Sequence, residues 1–167
     1  AEVYDTTLGC RFLNSRLSTL YHPYSMGETA ENVAAKWKVS RADQDQFAFT
    51  SQERHQAADA AGKFADELVS VPVRHPKGEA LQFDKDEHPR LSSIEKLASL
   101  SPAFAKDGTV TAGNSSGIND GAAASLVVSE DVLKKTSIPP LVRIVAMAIA
   151  GVDPAYMGVG PVPATRK

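Results

Sequence analysis

The spacing of apolar residues predicts two consecutive helices in the first part of the chain. Over residues 28–38, apolar side chains recur at the interval of a single helix face, at Ala30, Val33, Ala34 and Trp37. Ser40 is placed to cap a second helix over residues 41–61, and Gly62 is placed to end it. Residues 1–25 show no such period, and their frequent aromatic side chains indicate a packed, extended loop.

Further along the chain, the pattern predicts strands. Alternation over residues 67–73 predicts an edge strand, because Pro72 cannot donate a ladder hydrogen bond. Residues 74–89 are predicted to form a surface hairpin, with a short strand over residues 81–83 inside it. Two later apolar runs, residues 124–128 and 141–151, are interpreted as buried strands.

Short helices are predicted around these strands. Ser92 and Ser93 would start a helix that ends before Pro102, and Ser129 would cap another between the two apolar runs. A last helical turn is expected from Pro163. Because the sequence stops there after a predicted buried strand, we expect the chain to be part of a longer protein.

Residues 108–124 are the stretch around which the chain is organised. Residues 109–111 predict a short strand, residues 113–117 a polar glycine turn, and the small residues after them a helix. This arrangement places hydrogen-bond donors near a buried helix N-terminus. Two readings of its polar side chains stay open with equal weight, ligand contact or capping and close packing: Asn114, Ser115 and Ser116.

Composition and charge narrow the function classes. A hydrophobic content of 43% and a charged content of 23% are typical of a globular protein. The formal net charge of −2 argues against nucleic-acid or membrane-surface binding through bulk electrostatics. The single cysteine, Cys10, excludes an internal disulfide and favours a reducing, cytoplasmic setting. The apolar run ending at residue 152 is too short to span a bilayer.

Motifs that would carry chemistry by themselves are missing from the sequence. There is no nucleophile elbow, no phosphate-binding glycine loop and no dinucleotide fingerprint. A packed residue is the favoured reading of Cys10, since no base partner is indicated. No metal-ligand spacing is present; surface positions are favoured for His55, His75 and His88, and His22 is left undecided. We therefore predict no metal-binding residues, and the polar side chains of residues 114–116 remain the chemical candidates.

Several blocks of the sequence, in order, resemble the thiolases, which are acyl-CoA acetyltransferases. The blocks are SMGETAENVA at residues 25–34, GTVTAGNSSGINDGAA at 108–123, GVD at 151–153 and GPVPATRK at 160–167. The opening YDTTLGCRF, residues 4–12, further resembles the degradative subgroup that includes 3-oxoadipyl-CoA thiolases. Such enzymes act in fatty acid or aromatic degradation.

The resemblance implies an α/β fold, a fragment of the five-layered α/β/α/β/α thiolase fold. Residues 1–110 would form most of the loop domain that holds coenzyme A. Residues 111–137 would close the N-terminal half of the thiolase fold, and residues 138–167 would open the C-terminal half.

The resemblance also implies a reaction, the reversible cleavage of a 3-ketoacyl-CoA by coenzyme A. The family uses a nucleophilic cysteine, an acid/base cysteine and a histidine. The motifs that carry these residues are absent here, and neither Cys10 nor any histidine matches them. We therefore expect this chain alone to be inactive, and CoA and acyl-CoA to be substrates without a covalently bound cofactor.

Residues for CoA contact follow from the matching blocks. Ser116 resembles the serine that hydrogen-bonds the pantetheine arm, Met26 the methionine of the pantetheine and acyl end, and Arg90 the basic residue near adenine. Three residues resemble the wall around the cofactor: Leu100, Ala103 and Phe104. Ser25 stands where some thiolases carry histidine and Lys96 where some carry serine, so individual contacts can differ.

The family resemblance leaves two other hypotheses beside an active thiolase. One is a non-catalytic thiolase-like protein that binds CoA thioesters or serves as a scaffold. The other is a structural fragment without ligand competence. For the whole protein we expect a homodimer or homotetramer in the cytoplasm, with neither nucleic-acid nor membrane partners.

Overall fold

The computed structural model describes residues 13–74, 78 and 80–167. Within these residues, helices predominate and a single two-stranded sheet is present. The interpretations of Cys10 as a packed residue and of His75 as a surface residue lie outside the described part. Among the described residues, no helix combines the length and the apolar composition that crossing a membrane requires.

The first helix, α1, spans Ser15–Leu20 and corrects, for those residues, the prediction of an extended loop over residues 1–25. The part of that prediction over residues 1–12 lies outside the described residues. Asn14 is the N-cap of α1: the side-chain oxygen accepts hydrogen bonds from the amides of Arg16 at 2.9 Å and Leu17 at 3.4 Å. A cap of this kind can start a helix without an amphipathic pattern. None of the residues of α1 is buried, which explains why no hydrophobic period marked it.

The two predicted long helices are confirmed. Helix α2 spans Met26–Trp37 and α3 spans Arg41–Ala60. Helix α2 starts two residues before its predicted start at 28, because Ser25 forms a capping box with Glu28. Gly62, after α3, has a φ of +66°, the left-handed conformation that glycine adopts at helix ends.

A hairpin is also present, but it pairs the predicted edge strand with the strand near residues 81–83 and does not lie within residues 74–89 alone, and the edge strand starts later than expected. Strand β1, Val71–Arg74, pairs antiparallel with β2, Ala80–Phe83. The prediction had placed the first strand over residues 67–73 rather than from Val71. Helix α4, Ile94–Ala98, follows with Ser93 as its N-cap, as predicted.

The remaining helices are short. Helix α5, Glu130–Leu133, is capped by Ser129 as predicted. A 3₁₀ helix covers Pro154–Val159, and α6 covers Pro161–Thr165, where a last helical turn was expected.

The strands predicted over residues 109–111, 124–128 and 141–151 are wrong as strands in this structure. Within the described ranges, β1 and β2 pair only with each other, and no other segment forms a ladder. A strand is defined by a hydrogen-bonded partner, so an apolar run without one cannot form it. The helix predicted after residue 117 is likewise absent, and the 141–151 run is exposed, with Val145 at 89%.

The core lies between α2, α3, α4 and residues 108–115. Its buried apolar side chains are few and its buried polar side chains equally prominent; together they are Ala34, Leu97, Val110, Thr29, Asp45 and Thr111. The 3₁₀ helix packs on the outside of α2 through the Tyr156 ring, which meets the Trp37 ring edge-on at 5.6 Å. The stability of the fold therefore depends on buried polar side chains around residues 108–115, which form neither helix nor strand.

Candidate functional site

Helix α2 holds the start of the organising stretch through Glu31. The Glu31 carboxylate accepts hydrogen bonds from the Thr109 amide at 2.9 Å, the Thr109 hydroxyl at 3.0 Å and the Val110 amide at 2.8 Å. Gly108 is required there, because a Cβ would overlap the Glu31 carboxylate. These bonds satisfy backbone donors that a strand would otherwise have paired.

Helix α3 holds the middle of the same stretch through Asp45. This carboxylate is 2% exposed and accepts from Arg41 Nε at 2.7 Å and from Asn114 Nδ2 at 3.0 Å. Arg41 also donates to the carbonyl oxygens of Leu97 at 2.6 Å and Leu100 at 3.0 Å. One buried ion pair thus connects α3, the α4 region and the turn around residue 114.

The side chains of Asn114 and Ser115 are committed to the turn itself. Asn114 Oδ1 accepts from the Thr111 amide at 2.7 Å, and Ser115 Oγ donates to the Thr111 carbonyl at 2.7 Å. Ser116 follows directly and is exposed, and the described residues provide no hydrogen bond to its hydroxyl. Of the two readings left open, capping and packing fit Asn114 and Ser115, while Ser116 faces solvent.

Met26 and Phe104 lie beside each other at the start of α2. The Phe104 ring covers Gly27, where a Cβ would overlap it, and Met26 precedes this glycine with 76% of its surface exposed. The loop that carries Phe104 is fixed by the Ala103 amide, which donates to the Val110 carbonyl at 2.9 Å. Two residues predicted to contact CoA are therefore neighbours in space.

A mostly apolar cavity of about 390 Å³ extends from Met26 toward α1 and the 3₁₀ helix. His22 and Tyr24 line it, with ring centroids 4.3 Å apart, and Met157 lines it from the 3₁₀ helix. Sequence reasoning did not identify Met157, and no local pattern points to it, because only the packing of the 3₁₀ helix on α2 places it near Met26. The cavity also gives the undecided His22 a position at a ligand-sized space.

The other residues predicted to contact CoA, Leu100 and Arg90, lie near residues 113–117 of the organising stretch. The Leu100 side chain packs against Gly113, where a Cβ would overlap it. The backbone amide of Arg90 donates to Gln52 Oε1 at 2.8 Å, and Arg90 lines a second cavity of about 490 Å³ beside α3. His88 lies against Gly117, so the segments that carry Arg90 and Ser116 are in contact.

Electrostatics at the Met26 end are dominated by the capping box. Hydrogen bonds from the Ser25 amide and then from its hydroxyl, with a smaller contribution from His22, lower the pKa of Glu28 below its ordinary value of 4.5. The described residues contain no group of three side chains suited to binding a metal ion. This surface can therefore bind and orient a ligand by hydrogen bonds and apolar contact.

Comparison with known proteins shows extensive similarity. A family model described as "Thiolase, N-terminal domain" matches residues 4–131. An acetyl-CoA acetyltransferase of Paracoccus denitrificans is 55% identical over 148 residues, which are 88% of this chain and 38% of that protein. A beta-ketoadipyl-CoA thiolase of Pseudomonas putida is 51% identical over 167 residues, which are 99% of this chain and 42% of that protein.

The structural comparison agrees with the sequence comparison. The crystal structure of the Bacillus anthracis acetyl-CoA acetyltransferase matches with a TM-score of 0.82 at 40% identity, covering 98% of this chain and 42% of that one. The predicted fold class, part of an α/β thiolase fold, is confirmed by this match. The chain spans roughly two fifths of the length of the relatives it matches.

Proposed function

The chain belongs to the thiolase family, and we propose that the full-length protein is an acyltransferase that cleaves 3-ketoacyl-CoA with coenzyme A. The observation that carries this proposal is the 51% identity to a beta-ketoadipyl-CoA thiolase over 99% of the chain. The 3-ketoacyl substrate would be 3-oxoadipyl-CoA or a related acyl-CoA, and the products acetyl-CoA and a shortened acyl-CoA such as succinyl-CoA. A homodimer or homotetramer in the cytoplasm remains our prediction for the whole protein.

The proposed reaction proceeds through an acylated cysteine. A cysteine thiolate attacks the 3-keto carbon, the bond between C2 and C3 breaks, and acetyl-CoA leaves after its carbanion takes a proton from the acid/base cysteine. The thiolate of a second CoA then takes the acyl group from the cysteine sulfur. Since no residue of this chain matches the catalytic motifs, we propose that the chain alone does not catalyse the reaction.

The role proposed for this chain is to hold CoA. Ser116 would hydrogen-bond the pantetheine arm, since its hydroxyl is exposed at the end of an otherwise internally bonded turn. Met26 and Phe104 would provide the apolar wall at the acyl end, and Leu100 and Ala103 would line the arm. Arg90 would pair with the negatively charged nucleotide end of CoA. Residues 1–110 remain the proposed extent of the CoA-binding loop domain, residues 111–137 the proposed end of the N-terminal half and residues 138–167 the proposed start of the C-terminal half.

The test uses the full-length protein in a steady-state thiolysis assay. We expect Ser116→Ala to raise KM for CoA about fivefold with kcat unchanged, which is the effect of losing one hydrogen bond to the ligand. Ser70→Ala, an exposed serine on the hairpin side of the molecule, is the control and should leave both parameters unchanged.

Three results would contradict the proposal in different ways. Absence of thiolysis with CoA binding retained would favour the non-catalytic CoA-binding protein. An unchanged KM for CoA in Ser116→Ala would remove the proposed CoA contact. For the chain alone, calorimetry with millimolar CoA that gives no heat would mean that this part has no binding competence by itself.

A further inference from the structure

We propose that Asn114 is a positioning residue, which sets the place of Ser116 for its hydrogen bond to the pantetheine arm of CoA. The proposal rests on the proposed function, in which Ser116 contacts CoA. It assigns a role in ligand binding to a side chain that itself points into the protein.

Every polar atom of the Asn114 side chain is used to shape the turn. Oδ1 accepts from the Thr111 amide at 2.7 Å, and Nδ2 donates to the Thr109 carbonyl and to Asp45 Oδ1, both at 3.0 Å. The side chain thus replaces the ladder hydrogen bonds that a regular strand would have supplied to residues 109–111. Since these residues form neither helix nor strand, the shape of the turn depends on this amide.

The partner of Asn114 is itself fixed in the core. Asp45 is 2% exposed, and Arg41 holds its second carboxylate oxygen at 2.7 Å while donating to the Leu97 and Leu100 carbonyls. This charge-assisted pair, in which Asp45 is buried and the Arg41 side chain is 24% exposed, restricts the orientation of the carboxylate. The position of Asn114 is therefore fixed by α3 through Asp45 as well as by the hydrogen bonds within its own loop.

Ser116 is constrained from both sides as a result. On one side, Ser115 bonds the Thr111 carbonyl and closes the turn. On the other side, Gly117 lies so close to the His88 ring that a Cβ would overlap it. The exposed Ser116 hydroxyl is thus presented from a short segment with little freedom, which lowers the entropy lost when a ligand binds.

The experiment is a double-mutant cycle in the full-length protein with Asn114→Ala, Ser116→Ala and the double variant. KM for CoA and kcat per active site are measured, with active sites counted by the acyl-enzyme burst so that unfolded protein does not enter kcat. If Asn114 acts through Ser116, Asn114→Ala raises KM for CoA roughly three- to fivefold and adds no further increase in the Ser116→Ala background.

The control is Asp43→Ala, which removes the hydrogen bond between Asp43 and the Ser40 hydroxyl at the exposed start of α3. It lowers the stability of the same helix without touching the turn, so its KM for CoA should equal that of the wild type. The melting temperature of each variant is measured alongside.

The outcomes separate this proposal from the proposed function. Additive effects of the two substitutions on KM, or a lower melting temperature in Asn114→Ala with KM unchanged, would show that Asn114 is only structural. An unchanged KM in Ser116→Ala would overturn the CoA contact and this proposal together. A raised KM in Ser116→Ala with non-additivity in the double variant supports both.

Discussion

Two regions of this chain differ in structure in the direction opposite to their apolar content. Residues 117–150 are richer in apolar residues than residues 26–116, yet every buried apolar side chain among the described residues lies in residues 26–116. Within residues 26–116, helices α2, α3 and α4 surround the buried carboxylate of Asp45 and the half-buried one of Glu31, and Thr111 is fully buried. Residues 117–150 contain two apolar runs, yet apart from α5 they form neither helix nor strand, and Ile149 is 86% exposed. The first region is stabilised by contacts within the chain, whereas the second exposes the residues that would form a core.

The difference shows that the buried polar contacts can form within this chain, whereas burial of the apolar runs requires further segments of the protein. Glu31 and Asp45 find their partners within residues 26–116, so their region is complete. The apolar runs need neighbouring strands to pair with. We propose that the full-length protein supplies these strands from the part that corresponds to the uncovered length of the relatives. The following predictions probe this contrast, from the largest expected effect to the smallest.

The first prediction concerns the buried carboxylate of the anchored region. Asp45→Ala removes the only carboxylate that pairs with Arg41 among the described residues and the α3 partner of Asn114, so we expect the free energy of unfolding of the chain to fall by about 3 kcal/mol. Urea unfolding followed by circular dichroism measures it. A loss below about 1 kcal/mol would mean that the ion pair does not organise this region.

The second prediction concerns the exposed apolar run. Ile149→Ala should lower the free energy of unfolding of the full-length protein by about 2 kcal/mol or more, because the side chain becomes buried there. In the chain alone the same change should cost less than about 0.5 kcal/mol, since Ile149 is 86% exposed. Equal effects in the two proteins would contradict the proposed burial.

The third prediction applies one substitution to both regions. Gly27→Ala forces the Phe104 ring aside and should lower the free energy of unfolding by about 1 to 2 kcal/mol. Gly121→Ala is the matched control, since a Cβ there meets open space. Urea unfolding of the two variants should separate them, and equal stability would show that Phe104 does not pack on Gly27.

The smallest expected effect is a pH dependence at the start of α2. Because hydrogen bonds from Ser25 lower the pKa of Glu28, its contribution to stability is present above about pH 4.5 and is lost as the pH falls through the lowered pKa. The wild type should therefore melt at a higher temperature than Glu28→Gln at pH 7, and the difference should shrink toward pH 3. A difference independent of pH would exclude the ionised carboxylate as its cause.

Much of the helical structure could be predicted from sequence because its signals are local. Ser40, Ser93 and Ser129 each cap a helix as their positions indicated, and the boundaries differ by a few residues at most. The Ser25 cap was not predicted, so the start of α2 was placed two residues late. Helix α1 was missed because it is started by Asn14 alone and buries nothing. The start of a helix can be predicted from sequence where a capping residue precedes an amphipathic run.

The strands and the anchoring carboxylates could not be predicted in the same way. The runs at residues 124–128 and 141–151 have strand-like composition, but pairing depends on segments distant in sequence or outside this chain. Asp45 follows Arg41 at the spacing of an ordinary exposed helix pair, so nothing in the sequence indicated that it is buried. The contact residues proposed from family resemblance, such as Ser116 and Met26, remain predictions.

The packing of the 3₁₀ helix on α2 has a consequence for assembly of the whole fold. Asn32 donates to the Ala155 carbonyl at 3.2 Å, and Lys36 lies 3.8 Å above the Tyr156 ring, so residues distant in sequence are joined on one helix. Residues 117–150, which contain the exposed apolar runs, therefore form a loop whose two ends are held by the folded part of the chain. Much of the conformational entropy of its docking is therefore lost before its partner strands arrive, which favours correct docking within one molecule over aggregation with another.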